Sequence, residues 1–573
     1  MALAVAALVW AAVTAIAGGI AVDAGGLRVS SRDPLRPLVA GIVLLVAAGL
    51  LAGGVETRRA LARIAGVDGG TTSARMACVA ALAVLVFSIA WNTRASGGSD
   101  SSCYLLQAEA FAHGHVTLDA SLDALPDALP GMLSPTGFVP SPRAPHAPVP
   151  ICGPGLGLMI ALPFLIDRAA AFLIVPACAA LLVWLTFVFG RQLDDEVTGA
   201  CAAILVACSP IVLYQGVQPM SDVPAAALWL AALTATMPRR VVVAGVCASL
   251  AVLTRANLAL VVVPLVCLLP DWKTRLRFCA AALPALAIAA ALNAARYGSP
   301  LASGYGGADA LFSPAHVLPN LARYPRWLIA TGTPFVLLCL LTPWWLVRHP
   351  DRRRSAGVAM LCVVLLFGTY LAYSVFDDWW YIRFLLPALP VAIVLSVAVA
   401  LEAAAPWSAR SAIAGRRRRA VVAAVLAASL GTWYLHVARN RRVLDLQSLE
   451  SRFVLAGRYA GRALPADAIV LAVQQSGSIR FHGGRMTIAW DAIPPDALDA
   501  TIGRLIARGR APYIAVEDEE VPRFRARFAA QRFGALDWPP SAEVQAPVRV
   551  RLFDVAQREA YRSGASIVTQ YVR

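Results

Sequence analysis

The sequence predicts a polytopic α-helical membrane protein with a small α/β domain at its C-terminal end. Two observations carry the membrane part. Hydrophobic residues make up 59% of the 573 positions and charged residues only 15%, and the apolar residues are gathered into runs close to the 20 or so needed to cross a bilayer. A third observation carries the rest: after Val437 the composition changes to short β-rich runs alternating with charged helical stretches.

Taken in order, the apolar runs fall at 1–22, 38–55, 75–92, 171–190, 198–216, 223–237, 241–254, 256–270, 278–294, 327–347, 357–375, 382–402 and 420–437, about 13 candidate spans. The first lacks a basic start and a small-residue cleavage signal, so it reads as a retained span and not a signal peptide. A further apolar stretch at 152–166 is short and rich in Gly and Pro. Charge decides its nature. The basic loops are Arg58, Arg59 and Arg63; Arg191; Arg239 and Arg240; Lys273, Arg275 and Arg277; 348–354; and 416–419. Two spans separate each consecutive pair if 152–166 does not cross, and all then face the cytoplasm as the positive-inside rule requires. The stretch is therefore expected to be re-entrant or juxtamembrane. The N-terminus comes out cytoplasmic and the C-terminal domain extracytoplasmic.

The net charge of +16 follows from these orienting arginines, so no nucleic-acid partner is expected. None of the eleven cysteines has metal-ligand spacing, and most lie within apolar runs. Cys103 and Cys152 fall in or beside the large loop 93–150, and if that loop is extracytoplasmic they could pair. The membrane part thus covers 1–437. Residues 438–573 form the expected α/β domain, behind a helical linker at 440–462, with a further helix at 495–509 and no phosphate-binding or dinucleotide Gly motif.

The topology gathers loop 93–150, loop 295–326, the junction 377–383, Asp222 and Arg255 on one side. Charged groups at membrane depth are costly and mark function. Asp100 opens the stretch GSDSSCYLLQAEAF as the chain leaves a span. It reads either as a reactive carboxylate at the rim or as the N-cap of a helix over 101–113. Asp222 precedes Pro224, a residue suited to a first helical turn. Arg255 falls between two short apolar runs, where it either projects into a cavity or pairs helices. Arg383 follows DDWWY, which also fits an interfacial aromatic belt.

The stretches SDSSCYLLQAEAFAHG, PHAPVPICGPGLGLMIALPF, QPMSDVPAAALWLAAL, LTRANLALVVVP, RYGSPLASGYG and DDWWYIRFLLPALP resemble, in order and spacing, the GT-C class of integral membrane glycosyltransferases. The likeness is to the family 39 group of protein O-mannosyltransferases and lipid A aminoarabinose transferases, and it spans roughly 75–402. It implies a GT-C-like fold and transfer of a sugar from a polyprenyl-phosphate donor to a glycan, lipid or protein acceptor. That reaction belongs on the extracytoplasmic face of a bacterial inner membrane, among membrane lipids. It further implies that Asp100 deprotonates the acceptor and that Asp222 shapes the same site. Many relatives carry an acidic pair where Asp100 is followed by Ser101, so a metal is not expected, although a divalent ion is conceivable.

Such chemistry needs a base at the rim and cationic donors for the leaving phosphate, roles given to Asp100 and to Arg255 and Arg383. Tyr104, His146, Tyr297 and Tyr305 are candidate substrate contacts. The competing class is a transporter or flippase of a lipid-linked saccharide. It would favour paired repeats and midplane charges, neither of which the sequence displays.

Overall fold

The computed structural model describes residues 69–118, 125, 128–144, 146–404 and 412–573, with two short strands near the N-terminus and the single positions 7, 10, 37 and 40. The expected spans 1–22 and 38–55 lie outside the described residues, with one correction. Ile20–Ala24 (β1) pairs antiparallel with Leu27–Ser31 (β2), so the end of the first apolar run is strand. Its Ile20 and Val22, alternating with Ala21 and Asp23, suit an extended chain.

Each of the other eleven expected spans contains helix. Five helical segments are long and apolar enough to cross alone: Thr72–Ala90, Arg168–Leu193, Trp272–Tyr297, Pro350–Leu371 and Gly415–Asn440. Three more spans are broken. Glu196–Cys208 and Pro210–Gly216 meet at 60°, the segments Pro314–Gly332 and Pro334–Arg348 at 112°, and Trp379–Leu385 and Leu389–Ala403 at 84°. By length and composition the described residues thus supply five to eight crossings, against the eleven expected over the same stretch. The difference lies in these breaks and in helices such as Asp222–Thr236, Val241–Thr254 and Ala256–Leu268, too short for the length test. Pro210 and Pro334 start the second half of their broken spans, because proline cannot donate to the preceding turn and pushes its predecessor out of helical geometry.

The elements that matter for the site are α1 (Gly69–Ala90), α2 (Gly98–Ala112), α3 (Pro154–Phe164), α4 (Ile174–Leu193), α5 (Asp222–Thr236), α6 (Val241–Thr254), α7 (Trp272–Tyr297) and α8 (Arg353–Leu371). Helix α3, in the stretch expected to be re-entrant, has 11 residues and about 16 Å of rise, roughly half the length a bilayer crossing needs. Between α2 and α3 the antiparallel pair Phe138–Pro140 (β3) and Pro148–Pro150 (β4) stiffens the loop. Three of the basic loops meet, those at Arg191, 348–354 and 416–419. Arg419 bonds Asp194 and, at 2.8 Å, Asp195, while Arg352 donates to the carbonyls of Gln192 and Leu193.

The last span, α9 (Ala412–Asn440), runs three residues past the expected boundary and leads to α10 (Leu446–Ala463), the expected linker helix. Beyond it Ala468–Leu471 (β5), Met486–Ile488 (β6), Ala511–Glu517 (β7), Ala542–Val544 (β8), Val550–Asp554 (β9) and Gln570–Val572 (β10) form one sheet in the order β10-β8-β9-β7-β5-β6. The β5, β6 and β7 strands are parallel, joined by α11 (Ser476–Gly483) and α12 (Leu498–Ala507). The domain's core also takes Leu125, Ala128, Met132 and Leu133 from the loop between α2 and β3.

Candidate active site

Helix α2 starts at Gly98 with Gly97 at its N-cap, and no side chain caps it. Asp100 therefore stands in the first turn and does not cap. Its Oδ2 instead accepts a hydrogen bond from Arg383 Nη2 at 2.8 Å, across 283 residues of chain. The carboxylate keeps 32% of its side-chain surface exposed, against 13% for its arginine. Asp222 is in a different position. It begins α5, is almost wholly buried, and accepts from Arg255 Nη1. Arg255 reaches it because α6 ends there in extended geometry, φ −144° and ψ 105°, before the next helical turn.

The two ion pairs form one cluster. Arg383 lies within electrostatic reach of both Asp222 and Asp100. The Phe384 ring lies beside both guanidinium groups, 5.4 Å from Arg255 and 5.3 Å from Arg383. Tyr104, one turn after Asp100, donates to Ser221 Oγ at 2.7 Å and so fastens α2 to the residue before Asp222. Tyr305, in the loop after α7, lies within electrostatic reach of Tyr104, Asp100 and Arg255. Burial, reinforced by the neighbouring Asp100, pushes both phenols up from their ordinary range, so both keep their protons and remain donors.

Two of the expected contacts are placed elsewhere. His146 stands on the exposed turn between β3 and β4. Tyr297 gives its hydroxyl proton to Pro150 O, and the preceding Arg296 donates to Val116 O at 2.9 Å while its own carbonyl accepts from Ser141. These bonds tie the end of α7 to the loop. Residues that the sequence reading did not single out complete the wall. Tyr370 accepts from Asn257 Nδ2 at 2.7 Å and stacks on Phe384 at 5.1 Å and 4°. Tyr373 packs edge-on to the same ring. The available signal was position: Asn257 follows Arg255 by two residues, and Tyr370 and Tyr373 lie at the rim end of the expected span 357–375.

The scaffold behind Asp100 is covalent and polar. Cys103 and Cys152 form a disulfide with Cα atoms 6.3 Å apart, joining α2 to the chain entering α3. On the other flank α11 docks against α2. His482 Nε2 accepts the Ser96 amide at 3.1 Å, and Ser476 Oγ accepts the Thr136 amide at 2.8 Å. Gly477 lies so close to Ser102 that a Cβ there would collide with the serine hydroxyl. Burial, together with Arg168 and Arg458, pushes the His482 imidazole down to about 3, so it is neutral and its Nε2 is free to accept. Among the described residues, no three His, Cys, Asp or Glu side chains are grouped to hold a metal ion.

Chemically, the cluster offers one carboxylate open to an incoming hydroxyl, two guanidinium groups able to share an anion, and several phenolic donors. Its second carboxylate is committed to holding Arg255.

No family model and no curated protein matches the chain in sequence. Among solved structures, ArnT from Cupriavidus metallidurans in the apo state is 13% identical, with a TM-score of 0.51 over 85% of this chain and 98% of that one. The same ArnT bound to undecaprenyl phosphate aligns at 13% identity and TM-score 0.47, over 78% of this chain and 94% of that one. The Archaeoglobus fulgidus oligosaccharyltransferase tethered with an acceptor peptide aligns at 13% identity and TM-score 0.47, over 81% and 72%. At such identities a likeness speaks to architecture, and the first of these establishes it: the chain has the GT-C fold to which its motifs pointed.

Proposed function

We propose that the chain is a glycosyltransferase that moves a sugar from a polyprenyl-phosphate donor to a hydroxyl acceptor at the extracytoplasmic face of a bacterial inner membrane. The observation that carries this reading is the asymmetry of the two carboxylates. Asp100 is partly exposed beside Arg383, whereas Asp222 is buried against Arg255. Asp100 takes the acceptor proton, the acceptor oxygen attacks the anomeric carbon, and the bond from that carbon to the phosphate oxygen breaks with inversion. Arg383 and Arg255 take up the charge that develops on the departing phosphate, a term that is large where water is excluded. The counter-charges at the site are guanidinium groups, so the proposed displacement uses no metal. ArnT, which shares the fold, has been crystallised with undecaprenyl phosphate, a lipid of the donor class proposed here.

The test is transfer from a polyprenyl-phosphate sugar by the purified protein in nanodiscs. Asp100→Asn keeps the shape and removes the base, so turnover should fall roughly 10²-fold to 10⁴-fold with the melting temperature unchanged. Wild-type turnover in that variant refutes the assignment. A carrier of lipid-linked saccharide would instead move its cargo across the bilayer with no new glycosidic bond.

A further inference from the structure

A cavity of about 310 Å³ opens near the chain leading to the Asp100 cluster but is lined by none of the cluster's four charged residues. It lies where α1 ends and the segment leading into α4 begins. Its walls are of two kinds. Ile89, Phe172 and Leu173 supply an apolar face, with Ile89 and Leu173 themselves exposed, as acyl chains would require. Arg94 and Asp167 supply opposite charges. Both residues are exposed, and neither is ion-paired with the other or with any other side chain among the described residues, so both charges are open to a ligand.

The backbone around Arg94 is built to hold it there. Its φ is +48°, a left-handed conformation that costs a non-glycine residue on the order of 1 kcal/mol or more. Buried Asn92 imposes it. Its Oδ1 accepts the Arg94 amide at 2.9 Å, and its Nδ2 donates to Phe172 O at 3.0 Å, which locks the turn onto the opposite wall. Asp167 is fixed from the other side, its Oδ1 accepting the Ala169 amide at 2.6 Å.

We infer that this cavity binds the headgroup of a membrane phospholipid carrying both a phosphate and a primary ammonium, as phosphatidylethanolamine does. Arg94 takes the phosphate oxygens and Asp167 the ammonium. The volume is that of a small-ligand pocket, and Ile89 on its apolar face stands one turn from the exposed Val86 of α1. A purely anionic headgroup would meet Asp167 unfavourably, and a quaternary ammonium could not donate to it.

The experiment needs no sugar substrate. Delipidated full-length protein is exposed to nanodiscs holding equal amounts of phosphatidylethanolamine, phosphatidylglycerol and phosphatidylcholine, and retained lipid is read by native mass spectrometry. Wild type should retain phosphatidylethanolamine above the other two. Arg94→Ala should lower total retention about tenfold. Asp167→Asn keeps the acceptor for the Ala169 amide and should lose the discrimination between phosphatidylethanolamine and phosphatidylglycerol. Should either variant misfold, competition of the wild type with glycerophosphoethanolamine gives the same information. Equal retention of the three lipids, a preference for phosphatidylglycerol, or unchanged selectivity in both variants overturns the assignment. Asp100→Asn should bind as wild type does, so failure here leaves the transferase reading standing, and the converse holds.

Discussion

Two aspartates that look alike in sequence are given different work by their surroundings. Asp222 holds a buried guanidinium, and removing its charge leaves Arg255 uncompensated in a low-dielectric site. Breaking a buried pair from one side costs roughly 3–5 kcal/mol, whereas an exposed pair is worth about 1 kcal/mol or less. Asp222→Asn should therefore unfold at markedly lower denaturant or temperature in detergent, while Asp100→Asn, with its carboxylate one-third exposed, should melt close to wild type. Equal stability losses in the two variants would contradict the division. Both acids and both arginines were legible because a charge that interrupts an apolar run stands out. Tyr370, Tyr373 and Phe384 were not, since an aromatic within a span looks the same whether it faces lipid, a neighbouring helix or a substrate. Only the fold shows that these three rings back the ion pairs.

At the scale of elements, helices were read well and their interruptions poorly. Hydropathy averages over a window, so the breaks at Ser209, Thr333 and 386–388 vanished into continuous runs although prolines marked them. Also invisible was the docking of α11 on α2, which depends on residues nearly 400 positions apart. That docking should be sensitive to acid. His482 is held at about 3 when folded against an ordinary 6.5, because burial and then Arg168 and Arg458 disfavour its charged form. The folded state thus binds fewer protons than the unfolded state between these values. Its contribution is full above about 6.5 and is lost as pH falls toward about 3. Glu520, whose carboxyl burial pushes up to about 7 against the lowering effect of the Glu517 and Gln474 amides, works with the opposite sign, its contribution fading as pH rises from 4.5 to about 7. The protection of the amides at residues 96–102, that is exchange corrected for the intrinsic rate at each pH, should fall below pH 6.5 in wild type. In His482→Gln, which can still accept from Ser96 but does not titrate, the pH dependence should flatten. An undiminished acid response in that variant would assign the effect to another group.

For the whole molecule, composition separated a membrane part from an α/β part, and the sheet confirms the second fold type beyond α10. What composition could not convey is that the two are interleaved. Leu125, Ala128, Met132 and Leu133 leave the loop after α2 and enter the hydrophobic core beneath the sheet. The loop is also bonded there: Met132 O accepts the Ala489 amide at 2.8 Å, and Leu133 O accepts from Arg480 at 2.6 Å. Three of these four side chains are large, and burying each contributes roughly 1.5–3 kcal/mol, a total comparable with the 5–15 kcal/mol that separates a folded domain from its unfolded chain. Residues 441–573 expressed alone should therefore melt broadly and early, exposing apolar surface to a hydrophobic dye. Adding a peptide spanning residues 125–137 should restore a cooperative transition and raise its midpoint. A sharp melt of the isolated piece, unmoved by the peptide, would mean that the loop merely rests on a self-sufficient domain. The restoring outcome would mean that the loop following Asp100 is held in place by the domain it completes.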